Sequence, residues 1–213
     1  MHIVRGTRLL FGEQAKSIRS ILSTFRTMAL SQNFQEIILP SLEFLEVYTD
    51  KAGKEIENQM YTFKDKSDRN LCLRPEGTAT CQILANSDFK YQKDVKLFYE
   101  TRCWRYERPQ AGRYREFTQF GVEILNPSEH LDHRAYLYNL ATKMVKFFVK
   151  DYECKGRIKR GLQYYVEDGF EISVPGLGAQ KQVVGGGTYK EGIGFAIGVD
   201  RIQKALELNR GVV

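Results

Sequence analysis

At 213 residues the chain has the length of one domain with an ordinary hydrophobic core and is short for two. Its 42% hydrophobic and 27% charged residues, with five prolines and no low-complexity run, exclude a disordered chain, and no stretch nears the roughly 20 apolar residues of a membrane helix. A net charge of +6 admits an anionic partner, such as nucleic acid or nucleotide phosphate, without selecting one.

The opening residues, MHIVRGTRLLFGEQ, lack the apolar run and small-residue cleavage site of a signal peptide, so a cytoplasmic protein is expected. Residues 13–32 carry Ile18, Ile21, Leu22, Phe25 and Met28 at helical spacing, which predicts an amphipathic helix. FQEIILP then reads as a strand closed by Pro40, and residues 42–51 as a short helix. MYTFKD and NLCLRP, joined by the polar KSDR, predict a β-hairpin.

EGTATCQILANS predicts a helix and VKLFYETRCWRYE a long strand, followed by RPQAGR as a flexible loop. YREFTQFGVEIL alternates strictly, with Arg115, Phe117, Gln119 and Glu123 on one face and Thr118, Phe120, Val122 and Ile124 on the other. A second long helix is predicted over residues 128–150, then strands in GFEISV and AQKQVVGGG, then a helix over 199–208. Strands that neighbour one another in sequence favour an α+β fold, an antiparallel sheet flanked by helices, forming a single domain over residues 1–213.

Cys72, Cys81, Cys103 and Cys154 form no C-x-x-C pair, which argues against a zinc site and a disulfide framework. His130 and His133 are three apart, but no partner stands at ligand spacing, so both are read as solvated helix residues.

Four stretches carry chemistry. Between positions 102 and 115 stand Arg102, Arg105, Arg108, Arg113 and Arg115 against the single acid Glu107. Arginine forks suit polyphosphate, though on charge alone the hairpin could equally be a solvated basic surface. Gln119 and Glu123 point the same way and could receive a cationic or hydrogen-bond-donating small molecule, or lie on a solvated sheet face. In LRPEGT, Glu76 and Thr78 open a helix, where Glu76 could serve the helix dipole or a ligand's ammonium group. In GIGFAIGVDRI, Gly192, Gly194 and Gly198 precede Arg201, which could reach a phosphate from a helix start.

In this order the stretches resemble the catalytic domain of class II aminoacyl-tRNA synthetases, most closely the histidyl-tRNA synthetase family. FQEIILP resembles motif 1, WRYERPQAGRYREFTQFGVE motif 2 and GFAIGVDRI motif 3, while VRGTR, LRPEGT and RGLQYY single out the histidyl family. The resemblance implies a homodimer formed through motif 1, with the N-terminal helix and the strand ending at Pro40 against a second copy. It implies ATP with Mg2+, bound by Arg105, Glu107, Arg113, Phe117 and Arg201. Arg105 and Arg201 would hold the phosphates, Glu107 the adenine side, Phe117 the base and Arg113 the outer phosphates.

The resemblance also implies Arg160 as the catalytic arginine, acting with Arg105. Glu76, Thr78, Gln119, Glu123, Tyr164 and Tyr165 would line an amino-acid pocket in which Glu123 meets the imidazole. Gln110, Arg113 and Arg115 would touch the tRNA acceptor end. Gln163, Thr188 and Lys190 replace the family's usual Asp, Arg and Asp, and Leu9 replaces an Asp, removing charge near that pocket. Only 36 residues, 124–159, separate Glu123 from Arg160, where the family carries an insertion domain, and no anticodon-binding module is expected after motif 3. The function implied is histidine activation to the adenylate, with transfer to tRNA. The alternatives are a non-catalytic regulatory subunit like that of ATP phosphoribosyltransferase, or an enzyme loading another acceptor.

Overall fold

The computed structural model describes residues 2–52, 57–158, 165–178 and 181–209. The helical spacing at the N-terminus produces α1 (Gly12–Leu30), which buries Ile18, Ile21, Leu22, Phe25 and Ala29. Phe25 lies 5.4 Å from the Phe120 ring and edge-on to Phe148 at 5.6 Å, so its truncation would cost about 3–5 kcal/mol. Beside it lies α4 (His133–Phe148), whose N-cap Asp132 accepts the Ala135 amide at 2.9 Å.

Between these helices in sequence come β1 (Gln35–Glu36), β2 (Leu42–Phe44), α2 (Glu46–Ala52), β3 (Tyr61–Lys64), β4 (Asn70–Leu73), α3 (Thr78–Asn86), β5 (Val95–Trp104) and β6 (Glu116–Leu125). After α4 follow β7 (Glu153–Ile158), β8 (Gly169–Ser173), β9 (Gln182–Tyr189), β10 (Gly192–Gly198) and α5 (Val199–Asn209). Among the described residues the strands form a seven-stranded sheet, ordered β1-β5-β6-β10-β9-β8-β7, and a three-stranded sheet, β2-β4-β3.

Alternation on β6 assigns the two faces of the large sheet. Phe120, Val122 and Ile124 join α1, α4 and Ile202 and Ala205 of α5 in the larger core. Their neighbours Gln119, Gly121 and Glu123 face the other side, where α3 and the small sheet close over a second core containing Tyr48, Tyr99 and Tyr189. That second face carries the candidate site.

Several expectations are corrected. The large sheet is mixed, because β1 runs parallel to β5, pairing Gln35 with Leu97 and Glu36 with Phe98. The long connection through β2, α2, β3, β4 and α3 gives the chain room to return in the same direction. The segment ending at Pro40 contributes only two ladder residues. The 42–51 segment begins as a strand, since Leu42 and Phe44 pair with Leu73 and Leu71 before α2 starts. The long helix starts at His133, not at 128, because Ser128 gives its amide and hydroxyl to Asp94, each at 2.8 Å. The strands β7 and β10 were not separated in the sequence: β7 is an exposed edge with a bulge near Gly156, and the glycines of β10 mask its alternation.

Candidate active site

Glu123 is fully buried on β6 and surrounded by hydroxyls. Thr78 donates to its Oε1 at 2.8 Å, Tyr99 to the same oxygen at 3.4 Å, and Tyr189 to Oε2 at 2.9 Å. Room for the carboxyl comes from the neighbouring strand, where Gly194 pairs with Glu123 and a Cβ would fall on the carboxylate. Gly121 likewise yields to the Tyr99 ring opposite it on β5. Burial pushes the Glu123 pKa up to about 8, against the pull of its hydroxyl donors, and nearby Glu76 raises it further.

Glu76 precedes α3 and takes over the missing cap. Its Oε2 accepts the Thr78 amide at 2.7 Å and its Oε1 the Ala79 amide at 2.9 Å, while Gly77 at the N-cap has no side chain to offer. Burial raises its pKa, opposed by those amides and by the charge of Arg105. The amide of Gly77 donates to Gln119 Oε1 at 3.0 Å, tying the helix start to β6. Buried carboxyls among hydroxyls form a recess suited to a cationic or N–H-donating group.

Six residues from Glu123 along the same strand face, about 20 Å at 3.3 Å per residue, the character changes around Phe117. Arg105 donates through Nε to the Pro75 carbonyl at 2.9 Å and lies 5.4 Å from the Phe117 ring centroid. Arg113 is paired with Glu107. Arg201, on the first turn of α5, reaches the loop between β5 and β6 by donating to the Gly112 carbonyl at 3.2 Å, and also bonds the Gln182 carbonyl at 2.6 Å. Burial lowers the Arg201 pKa, and repulsion from Arg105 and Arg113 adds to it, so the three guanidiniums share one field. Burial alone would raise the Glu107 pKa, but the Arg113 hydrogen bond and the charges of Arg105, Arg113 and Arg201 hold it below the usual carboxylate range. An anion is the natural ligand of such a cluster.

The expected residues therefore divide into two groups on one sheet face: Arg105, Glu107, Arg113, Phe117 and Arg201 at one end, and Glu76, Thr78, Gln119 and Glu123 at the other. Tyr165 bridges Tyr189 and packs on Gly187, beside the second group. Gln110 is exposed at the hairpin tip, in a bridge with Arg113. Arg115 turns away to the N-terminal segment, where its amide bonds the Gly6 carbonyl at 2.8 Å and its guanidinium lies 4.0 Å from the Tyr106 ring. Arg160 and Tyr164 lie outside the described residues.

Sequence reading missed Tyr99, Tyr189, Arg74 and Asp200. Tyr99 and Tyr189 were not singled out; the usable signal for Tyr99 was a glycine, Gly121, at the position its ring faces on the partner strand. Asp200 is buried, accepting the Thr118 amide at 2.5 Å and pairing with Arg8, which gives the RGTR segment a partner. His133 is buried, contrary to its reading as solvated: its Nε2 sits 2.8 Å from Asp94 Oδ1. Among the described residues no group of three or more His, Cys, Asp or Glu side chains could hold a metal ion, and no helix is long and apolar enough to cross a membrane.

A sequence profile described as Histidyl-tRNA synthetase matches residues 6–153. The histidine–tRNA ligase of Archaeoglobus fulgidus is 29% identical over 312 aligned residues, covering 97% of this chain and 76% of the relative. The alignment exceeds the 213 residues of the chain, so the relative carries extra sequence inside the matched region. The histidine–tRNA ligase of Methanococcus maripaludis strain C6 is 41% identical over 150 residues, 70% of this chain and 36% of the relative. Among solved structures, apo S. aureus histidyl-tRNA synthetase superposes with a TM-score of 0.81 at 26% identity, covering 100% of this chain and 72% of that one. A Bacillus halodurans structure described as an ATP phosphoribosyltransferase regulatory subunit/histidyl-tRNA synthetase shares the fold, with a TM-score of 0.81 at 16% identity over 96% of this chain and 83% of that one. With the profile spanning well over half of its length and the class II catalytic fold around the paired carboxyls and arginines, this chain belongs to the histidyl-tRNA synthetase family.

Proposed function

We propose that the chain activates histidine with ATP, forming histidyl-adenylate and pyrophosphate, and passes the histidyl group to tRNA. The observation that supports this reading is the division of one sheet face into a buried carboxyl recess around Glu123 and a guanidinium cluster of Arg105, Arg113 and Arg201. A zwitterionic amino acid and a triphosphate would lie head to tail along β6. The amino acid's carboxylate oxygen attacks the α-phosphorus, a new O–P bond forms, and the bond to the β-phosphate oxygen breaks as pyrophosphate leaves.

Arg105 and Arg201 would carry the phosphates, Arg113 would leave Glu107 for the outer phosphates, Glu107 would turn to the adenine and Phe117 would stack on the base. Arg160 is proposed as the arginine that stabilises charge on the α-phosphate, a role worth about 10²–10³ in rate for a single well-placed donor. Magnesium would enter on the phosphates of ATP. Glu76, Thr78, Gln119, Glu123, Tyr164 and Tyr165 would hold the amino acid, and Gln110, Arg113 and Arg115 would meet the acceptor end.

A homodimer is part of the proposal, with its surface revised. The apolar face of α1 is consumed in the chain's own core. Exposed apolar side chains stand instead on one face of the small sheet, where Leu42, Phe44 and Phe63 are 54%, 44% and 41% exposed, with Tyr61, Leu71 and Leu73 beside them and Ile38 at 88% nearby. A second copy is the proposed occupant.

The test is ATP–pyrophosphate exchange by the purified protein across an amino-acid panel, with and without tRNA. Exchange that depends on histidine supports the reading, and absence of exchange with every amino acid removes it. The fold-level likeness to the Bacillus halodurans structure favours a second reading, a binding subunit without catalysis. Calorimetry separates the two, because only the enzyme needs tight, magnesium-dependent ATP binding. Exchange without charging of tRNA would favour loading of another acceptor.

A further inference from the structure

Tyr48 is fully buried outside the recess, with its hydroxyl 3.2 Å from the main-chain carbonyl of Glu76 and 3.3 Å from Thr80 Oγ1. Thr80 lies 2.7 and 2.8 Å from the two oxygens of Glu43, itself only 7% exposed. Thr80 donates its one proton to Glu43, so its oxygen accepts from Tyr48, whose single proton is shared between Thr80 Oγ1 and the Glu76 carbonyl. On the other side, the buried Arg74 guanidinium lies 4.0 Å from Glu43, bonds the Arg102 carbonyl at 2.9 Å, and also bonds Thr101 and the Pro40 carbonyl.

What this network grips is residues 75–77. The Pro75 carbonyl holds Arg105, the Glu76 carboxylate caps α3, and the Gly77 amide holds Gln119. Both halves of the site stand on those three residues. We propose that Tyr48 and Thr80, oriented by Glu43, are positioning residues for Glu76: they touch neither substrate, and they set where the carboxylate and the first amides of α3 point. The inference rests on the reading of Glu76 as an amino-acid ligand, but its geometry can be tested without it.

Amide hydrogen exchange of the full chain, resolved by NMR, is the test. Tyr48→Phe and Thr80→Val should each speed exchange at Thr78 and Ala79 about tenfold, as expected for loosening one hydrogen-bonded turn, with β5 and β6 amides unchanged. Thr80→Ser, which keeps the hydroxyl, should restore wild-type protection. In pyrophosphate exchange the same variants should raise the KM for histidine several-fold, by more than any rise in the KM for ATP. Unchanged protection at Thr78 and Ala79, or an equal loss across the whole sheet, overturns the proposal. Wild-type protein without pyrophosphate exchange would defeat the adenylation reading alone, since the amide rates are measured in its absence.

Discussion

The Glu107 carboxylate accepts a hydrogen bond from Nε of Arg113, six residues further along the same hairpin loop. The pair joins a group expected at the adenine end of ATP to one expected at the outer phosphates, so on the proposed reading nucleotide would exchange this internal contact for two contacts to itself. Arg113→Ala should raise the KM for ATP about tenfold and leave that for histidine unchanged. Glu107→Gln should raise it less, because loss of an adenine contact is offset by release of Arg113. Steady-state pyrophosphate exchange with ATP varied checks both, and equal effects on the two KM values would remove the division of the site.

Gly194 faces Glu123 across the β6–β10 ladder, and a methyl group there would overlap the carboxylate. Gly194→Ala should lower the melting temperature by roughly 5–10 °C, the consequence of about 2–3 kcal/mol of overpacking in a chain of this size. Glu123→Ala in the same chain removes the clashing group, so the double variant should lose less than the sum of the single losses. Additive losses measured by thermal unfolding would mean that the glycine is required for some other reason.

Much of this site could be read from sequence, and for a physical reason. Period-two alternation on β6 separates Gln119 and Glu123 from the core residues Phe120, Val122 and Ile124 without any knowledge of partners. Helix α1 was equally plain, because one stripe of five residues is buried. What sequence withheld was pairing between distant segments. Nothing local in FQEIILP says that Gln35 will lie parallel to Leu97, and nothing in LRPEGT says that Arg74 will spend its guanidinium on Thr101 and two carbonyls of other segments. Glycines also hid information: β10 is four-sevenths ordinary strand residues, and its glycines admit the Glu123 carboxyl and the Tyr189 ring, which a local pattern cannot express.

The small sheet offers a sharper test of assembly than α1. Leu42 and Phe44 point outward on β2 while Glu43 between them points inward to Thr80, so the outward face can be altered without touching the recess. Phe63→Ser together with Leu42→Lys should convert a dimer into a monomer in sedimentation velocity, with circular dichroism unchanged. A wild-type chain that is monomeric at micromolar concentration would exclude this face as the contact.

Glu123 also links stability to pH. Its folded pKa of about 8 stands above the ordinary carboxylate value of 4.5, so between these values the folded chain binds the proton that the unfolded chain has released. By linkage, unfolding free energy must fall as pH rises through this window, at up to about 1.4 kcal/mol per pH unit from one group, and level off above pH 8. Glu76 and Glu43, both raised by burial, act in the same sense, while Glu107, held low by its arginines, loses stabilisation only as pH drops below the ordinary carboxylate range. Denaturant titrations at pH 5.5 and 8.5 should show the wild type weaker at the higher pH and Glu123→Gln, which cannot titrate, losing less over the same interval. Parallel losses in the two proteins would mean that Glu123 is already ionised at pH 5.5, and that its hydroxyl neighbours compensate burial far more fully than a dry recess allows.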